Sequence, residues 1–114
     1  MTIREEVVQR KLELRDMTAI GPHRATQITV ELSSLWANIN EESVRREDAY
    51  NKKLLAYLDT GTESVAGATI RAKATDEYRE LRECEMLGKS VKQMISSLNR
   101  YIDLAKEEAR GASY

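Results

Sequence analysis

Few side chains in this sequence have the types and spacing that catalysis requires. Carboxylates occur as neighbouring pairs, but general acid–base chemistry needs two acids held in a pocket with separated pKa values. These pairs occupy charged, helix-forming segments, so we interpret them as solvated helix faces. They are Glu41-Glu42, Asp76-Glu77 and Glu107-Glu108.

Motifs for metal, phosphate and nucleophile chemistry are also missing from the sequence. His23, the single histidine, follows Pro22 and lacks the Glu-x-x-His spacing of a di-iron bundle. Cys84, the single cysteine, falls on an apolar helix stripe, where a small buried hydrophobe is its expected role. Gly61 and Gly67 are not followed by the Lys-Ser or Lys-Thr of a phosphate-binding loop. We therefore predict no enzyme activity, metal site, cofactor or small-molecule substrate.

Basic side chains between residues 41 and 85 offer one candidate binding site. Eight cations lie in this interval, and Tyr50, Tyr57 and Tyr78 are near them, as in surfaces that contact phosphates and stack bases. The alternative is a solvated surface, because eleven acidic residues share the interval. The candidate DNA-binding residues are Arg45, Arg46, Lys52, Lys53, Arg71, Lys73, Arg79 and Arg82.

The length and composition of the chain limit it to one domain with a small hydrophobic core. Of 114 residues, 41% are apolar but only 5% aromatic, which suits helices packed through aliphatic side chains. The 18 basic and 19 acidic residues nearly cancel, which argues against binding a polyanion through bulk charge. No signal-peptide core or run of 18 apolar residues occurs, so we expect no membrane segment and a cytoplasmic location.

The strongest pattern is a heptad repeat from residue 81 to residue 109. Apolar or small residues recur there at alternating spacings of three and four, which predicts one helix packed on others. The repeat consists of Leu81, Cys84, Gly88, Val91, Ile95, Leu98, Ile102, Ala105 and Ala109, widened by Leu87, Met94 and Tyr101. We assign core or oligomer packing to Trp36, Leu87, Val91, Met94, Ile95, Leu98, Tyr101 and Ile102.

The remaining helices have recognisable ends. Thr2 and Glu5 have the capping-box spacing, and Gly21-Pro22 predicts a corner into a second helix that ends near residue 58. A turn at residues 59–62 then leads into the small-residue segment 64–74. Thr75, followed by two carboxylates, predicts a break before the last helix, and residues 111–114 are expected to fray.

These elements predict an all-α fold: a long antiparallel, coiled-coil-like hairpin with a shorter N-terminal helix. We expect a single domain with a low-charge base, residues 1–40 and 86–110, and a charged arm, residues 41–85, that protrudes. Trp36 is expected to pack near the middle, opposite residues 84–88 or residues 96–97. Long thin helices bury little surface alone, so we also expect a homo-oligomeric bundle.

The arm and the last helix resemble small helical bacteriophage proteins encoded beside single-strand annealing proteins, and phage recombination mediators. The resemblance rests on residues 64–68 (Ser-Val-Ala-Gly-Ala), residues 72–81 and the heptad helix, and it covers about residues 41–105. It implies an oligomeric accessory protein in DNA recombination or replication, contacting single-stranded DNA or a recombinase in a bacterial host. The alternatives are a structural assembly subunit or a protein-binding module, such as an inhibitor of a host defence complex. In the inhibitor, an acidic face would imitate nucleic acid or dock a partner protein. This face would be formed by Glu41, Glu42, Glu80, Glu83 and Glu85.

Overall fold

The computed structural model describes residues 1–61 and 64–111, with the side chains of residues 17 and 18 left out. The described residues form helices and turns and include no strand, which confirms the predicted all-α class. The predicted turn residue Thr62 and the predicted fraying of residues 112–114 lie outside the described residues. The elements are α1 (Ile3–Glu13), a 3₁₀ segment (Leu14–Ala19), α2 (Pro22–Asp59), α3 (Val65–Lys73) and α4 (Asp76–Gly111).

Local sequence signals fix the helix ends. The Thr2 hydroxyl caps α1 by accepting from the Glu5 amide at 3.2 Å, and the Ser64 hydroxyl caps α3 in the same way. Gly61 follows α2 with a φ of 71°, a left-handed conformation that glycine adopts without steric cost. The predicted break at Thr75 is confirmed, because its hydroxyl donates to the Ala72 carbonyl at the end of α3.

The chain divides into two compact units. The terminal unit comprises Met1–Asn38 and Leu87–Tyr114, and the central unit comprises Ile39–Met86. These boundaries fall close to those predicted for the base and the arm. The protrusion of the arm stays a prediction.

The core of the terminal unit is built from one face of each helix. Tyr101, on the last turns of α4, donates a hydrogen bond to the Ile20 carbonyl and so holds the corner before α2. Of the predicted α4 residues, Val91, Met94 and Leu98 are buried, while Leu87, Ile95, Tyr101 and Ile102 are half-buried. The other buried residues of the unit are Val7, Ile20, Ala25, Ile28, Leu32 and Leu35.

Several apolar residues of the terminal unit lie outside its core. Trp36, expected to pack in the middle of the structure, is 39% exposed, so its assignment to the core of the chain is wrong. The buried face of α2 is already filled by Leu32 and Leu35, and Trp36 lies at the edge of that face. Val8 and Leu12 of α1 are also exposed. A role for Trp36 in an oligomer stays a prediction.

The central unit has a smaller core, in which α3 contributes only alanines. Ala68 and Ala72 are fully buried, whereas the larger Val65 and Ile70 on the same helix are exposed. Cys84 is buried, and its thiol lies 3.3 Å from the Ser43 hydroxyl and 3.5 Å from the Ile39 carbonyl oxygen. The other buried residues of this unit are Ile39 and Leu81.

Candidate nucleic-acid interface

Most of the predicted DNA-binding cations are engaged by carboxylates of the central unit. Arg46 bridges Glu42 and Glu80, at 2.9 Å and 2.5 Å. Arg45 also contacts Glu42, and Lys53 lies 4.0 Å from Glu77. Two further ion pairs join Arg79 to Asp76 and Arg82 to Glu85, both at 2.9 Å. A phosphate would have to compete with these carboxylates for each cation.

The tyrosines near these cations contact neighbours within the unit. The Tyr50 and Tyr78 rings lie 5.4 Å apart between centroids. The Arg71 guanidinium lies 4.6 Å from the centroid of the Tyr57 ring, within the range of a cation–π interaction. All three tyrosines are half-buried, so little ring surface is left for a stacked base. The exposed Lys52 and Lys73 form no ion pair within the described chain.

The charges of the two units differ in sign. The central unit holds eight basic and eleven acidic residues, a net charge of −3. The terminal unit holds ten basic and eight acidic residues, a net charge of +2. The excess of positive charge therefore lies outside the interval in which the sequence predicted DNA contacts.

The basic excess of the terminal unit lies in the part of α4 that begins at Leu87. Residues 87–102 contain three cations and no acid. Lys89, Lys92, Ser96 and Arg100 recur at spacings of three and four, which puts them on one side of the helix, and all are exposed. The three cations have no carboxylate partner among residues 1–61 and 64–111.

Two adjoining depressions lie along this side of α4. Their volumes are about 560 Å³ and about 230 Å³, and both are lined by Gln93 and Ser97. Lys11, in the last turn of α1, lines the smaller one together with Leu14 and is likewise unpaired in the described structure. We call this surface the lysine face: Lys11, Lys89, Lys92, Gln93, Ser96, Ser97 and Arg100.

The lysine face offers chemistry that suits phosphate. Ammonium and guanidinium groups attract phosphate oxygens, and the amide and hydroxyl groups between them can donate hydrogen bonds. The buried residues Val91, Met94 and Leu98 on the opposite side of α4 hold the helix against its unit. The cations are thus presented by a packed helix.

A second charged cluster in the terminal unit is self-neutralised. The Arg24 guanidinium donates to both carboxylate oxygens of Glu13, at 2.8 Å and 3.1 Å, and also contacts Glu31. Arg10 contacts the same two carboxylates, at 2.7 Å and 3.2 Å. The hydrogen bond from Arg24 lowers the pKa of Glu13 below its ordinary value of 4.5, and the pKa of Arg24 is raised in return. This alternation of two cations and two anions leaves no net charge to attract a phosphate.

The sequence prediction missed the lysine face. The sequence assigns residues 86–110 to the low-charge base, but only one side of this helix is buried. The sequence does contain a signal that could have predicted this face, namely the sign of the charges. Lys89, Lys92 and Arg100 all fall between the heptad positions, and no acidic residue occurs among residues 87–102.

No group of three or more histidine, cysteine or acidic side chains in the described parts of the chain is arranged to hold a metal ion. None of the described helices combines the length and apolar content needed to cross a bilayer. Comparisons with protein-family models, with curated proteins and with solved structures give no match to this chain.

Proposed function

We propose that this chain is a non-enzymatic, oligomeric helical protein that contacts single-stranded DNA through the lysine face. The observation that supports the proposal is the set of three unpaired cations on one side of α4, beside two depressions, the smaller of which Lys11 also lines. The phage resemblance suggests that this contact serves DNA recombination or replication in the cytoplasm of a bacterial host. A recombinase is the partner protein implied by the same resemblance.

The lysine face favours a flexible strand over a rigid duplex. Its four cations come from two helices, Lys11 from α1 and the other three from α4. A single strand can bend so that successive phosphates reach successive cations, with Gln93, Ser96 and Ser97 as hydrogen-bond donors between them. Each chain would neutralise only a few phosphates, so self-association would strengthen binding by linking several weak sites.

The proposed fold of the central unit is an antiparallel hairpin of coiled-coil type. Its supporting evidence is the order of contacts: Ser43 with Cys84, Arg46 with Glu80, and Lys53 with Glu77. As the residue number on α2 increases, the number of the residue it contacts on α4 decreases, as expected for antiparallel helices.

Nucleic-acid imitation by the acidic face is less well supported. Glu42 and Glu80 are paired with Arg46, and Glu85 is paired with Arg82. Carboxylates that are already neutralised by their own chain present little of the repeated negative charge that such imitation needs. We therefore favour the lysine face as the functional surface.

Titration of a fluorescently labelled single-stranded oligonucleotide tests the proposal. Anisotropy should rise on binding at low salt, and the affinity should fall steeply at moderate salt because phosphate contacts release counterions. Absence of binding at low salt would eliminate the DNA contact.

A further inference from the structure

The smaller depression beside the lysine face differs in chemistry from the surface that carries the cations. Two of its lining residues are apolar: Met94 of α4, which is buried, and Leu14 of the 3₁₀ segment, which is half-buried. Ser90, Gln93 and Ser97 line it as well. Hydroxyl and amide groups therefore lie beside apolar surface in one concave site.

The polar side chains of this depression have no hydrogen-bond partner within the part of the chain that the structure describes. On α2, the hydroxyls of Thr29 and Ser33 each donate to the carbonyl four residues earlier in the helix. The Ser90 hydroxyl forms no such bond although the residue is half-buried, and the side chains of Gln93 and Ser97 form none either. Their donors and acceptors are available to a ligand.

The volume of the smaller depression suits one planar polar group. It measures about 230 Å³, and a water takes up about 30 Å³ in the liquid, so about eight waters would fill it. That is close to the number of non-hydrogen atoms in a pyrimidine base. A nucleobase has two apolar faces and a rim of hydrogen-bonding groups, which match the mixed lining of the depression.

The position of the smaller depression beside the cations suits one nucleotide. Gln93 and Ser97 line both depressions, and Lys89 and Lys92 line the larger one. Lys11 lines the smaller depression itself. In a single strand the base can turn about the sugar that joins it to the phosphate. A phosphate held by these lysines therefore leaves its base free to enter the adjoining depression.

We propose that the smaller depression takes one unstacked nucleobase of the strand whose phosphates contact the lysine face. Leu14 and Met94 contact the face of the base, while Ser90 and Gln93 form hydrogen bonds with its edge. The Gln93 amide offers a donor and an acceptor side by side, and each of the four bases has the same pair on its Watson–Crick edge. The depression therefore accepts any base. This inference rests on the proposed DNA contact and adds a contact that does not depend on charge.

Two oligonucleotides of equal length and charge test the inference, one with natural bases and one made of abasic deoxyribose phosphates. We expect the natural strand to bind at least about fivefold more tightly, which is the lower end of what one stacked base contributes. The affinities of both strands should fall equally steeply with salt, because the two make the same phosphate contacts. Anisotropy titrations across a salt series measure both quantities.

A pair of leucine variants places the base contact on the protein. Ser90→Leu fills the smaller depression without changing the charge, whereas Ser96→Leu adds the same side chain beside the larger depression only. Ser90→Leu should lower the affinity for the natural strand to that for the abasic strand, and leave binding of the abasic strand at the wild-type level. In Ser96→Leu the ratio of the two affinities should equal that of the wild type. Circular dichroism should show equal helicity in both variants.

The fluorescent base analogue aminopurine gives a readout on the wild-type chain. Placed in turn at each position of the strand, it should emit more strongly on binding, because a base that leaves its stacked neighbours is less quenched. Unchanged emission at every position would overturn the inference. Equal affinity for the natural and abasic strands, or an unchanged ratio in Ser90→Leu, would also overturn it but leave the phosphate contact standing. Failure of both strands to bind at low salt would overturn the proposed function as well.

Discussion

Removing two lysines from the lysine face should weaken single-stranded DNA binding by an amount that can be calculated. If Lys11, Lys89, Lys92 and Arg100 each neutralise one phosphate, log K should fall with log salt with a slope of about −2.8, at about −0.7 per phosphate. The variant Lys89→Gln/Lys92→Gln retains two of these contacts, so its slope should be about −1.4. At about 0.1 M salt the affinity should fall about 25-fold, or about 2 kcal/mol.

The matched control is Lys52→Gln/Lys53→Gln in the central unit, which changes the net charge equally. Lys52 is unpaired in the described structure, and the ion pair of Lys53 with Glu77 is long, at 4.0 Å. The control therefore removes exposed charge at little cost in stability. Anisotropy titrations across a salt series should give this variant the wild-type slope. Circular dichroism should show equal helicity in both variants.

The opposite result would refute the reasoning. If Lys52→Gln/Lys53→Gln flattened the slope and Lys89→Gln/Lys92→Gln did not, the contact would lie on the arm. Charge reversal at Arg45, Arg46, Lys52 and Lys53 should then abolish binding, as the sequence interpretation requires.

Three further predictions concern stability. Because the pKa of Glu13 is lowered in the folded chain, the ionised carboxylate adds to the free energy of unfolding above pH 4.5. This contribution is lost as the pH falls through the lowered pKa. Glu13→Gln should therefore lower the unfolding free energy by about 1 kcal/mol near neutrality and flatten its acid dependence in urea titrations. If the unfolding free energy of Glu13→Gln fell with decreasing pH as steeply as that of the wild type, this prediction would be wrong. Leu98→Ala, at a fully buried site, should cost about 2–5 kcal/mol in urea unfolding, while Leu104→Ala, at 53% exposure, should cost under about 1 kcal/mol. Equal losses would disprove the core assignment. Gly61→Ala should cost about 1–2 kcal/mol from the left-handed backbone alone, because no heavy atom lies within 4 Å of the added Cβ. A neutral effect on the thermal midpoint would contradict that cost.

The predictions from sequence succeeded where the determining interactions are local. The cap at Thr2, the end of α2 near residue 58 and the break at Thr75 each depend on groups within about four residues, so the local sequence encodes them. The burial of Val91 and Leu98 follows from helical periodicity, which is also local.

The assignments that depended on long-range partners could not be made from sequence. Whether Arg46 is available to a ligand depends on Glu80, which is 34 positions away. Tryptophan is a residue type that is usually well buried, but whether Trp36 is covered depends on how many helices surround α2. The lysine face was missed for a related reason, since a count of charges cannot say which side of a helix is buried.

The alanines that α3 turns inward restrict how the central unit can vary. At Ala68 and Ala72 no side-chain volume can be added unless the backbone of α3 moves outward, because both positions are fully covered. Val65 and Ile70 on the outer side are free of that restriction. Substitutions on α3 should therefore be confined to its outer side, because glycine is the only replacement that adds no volume at Ala68 and Ala72.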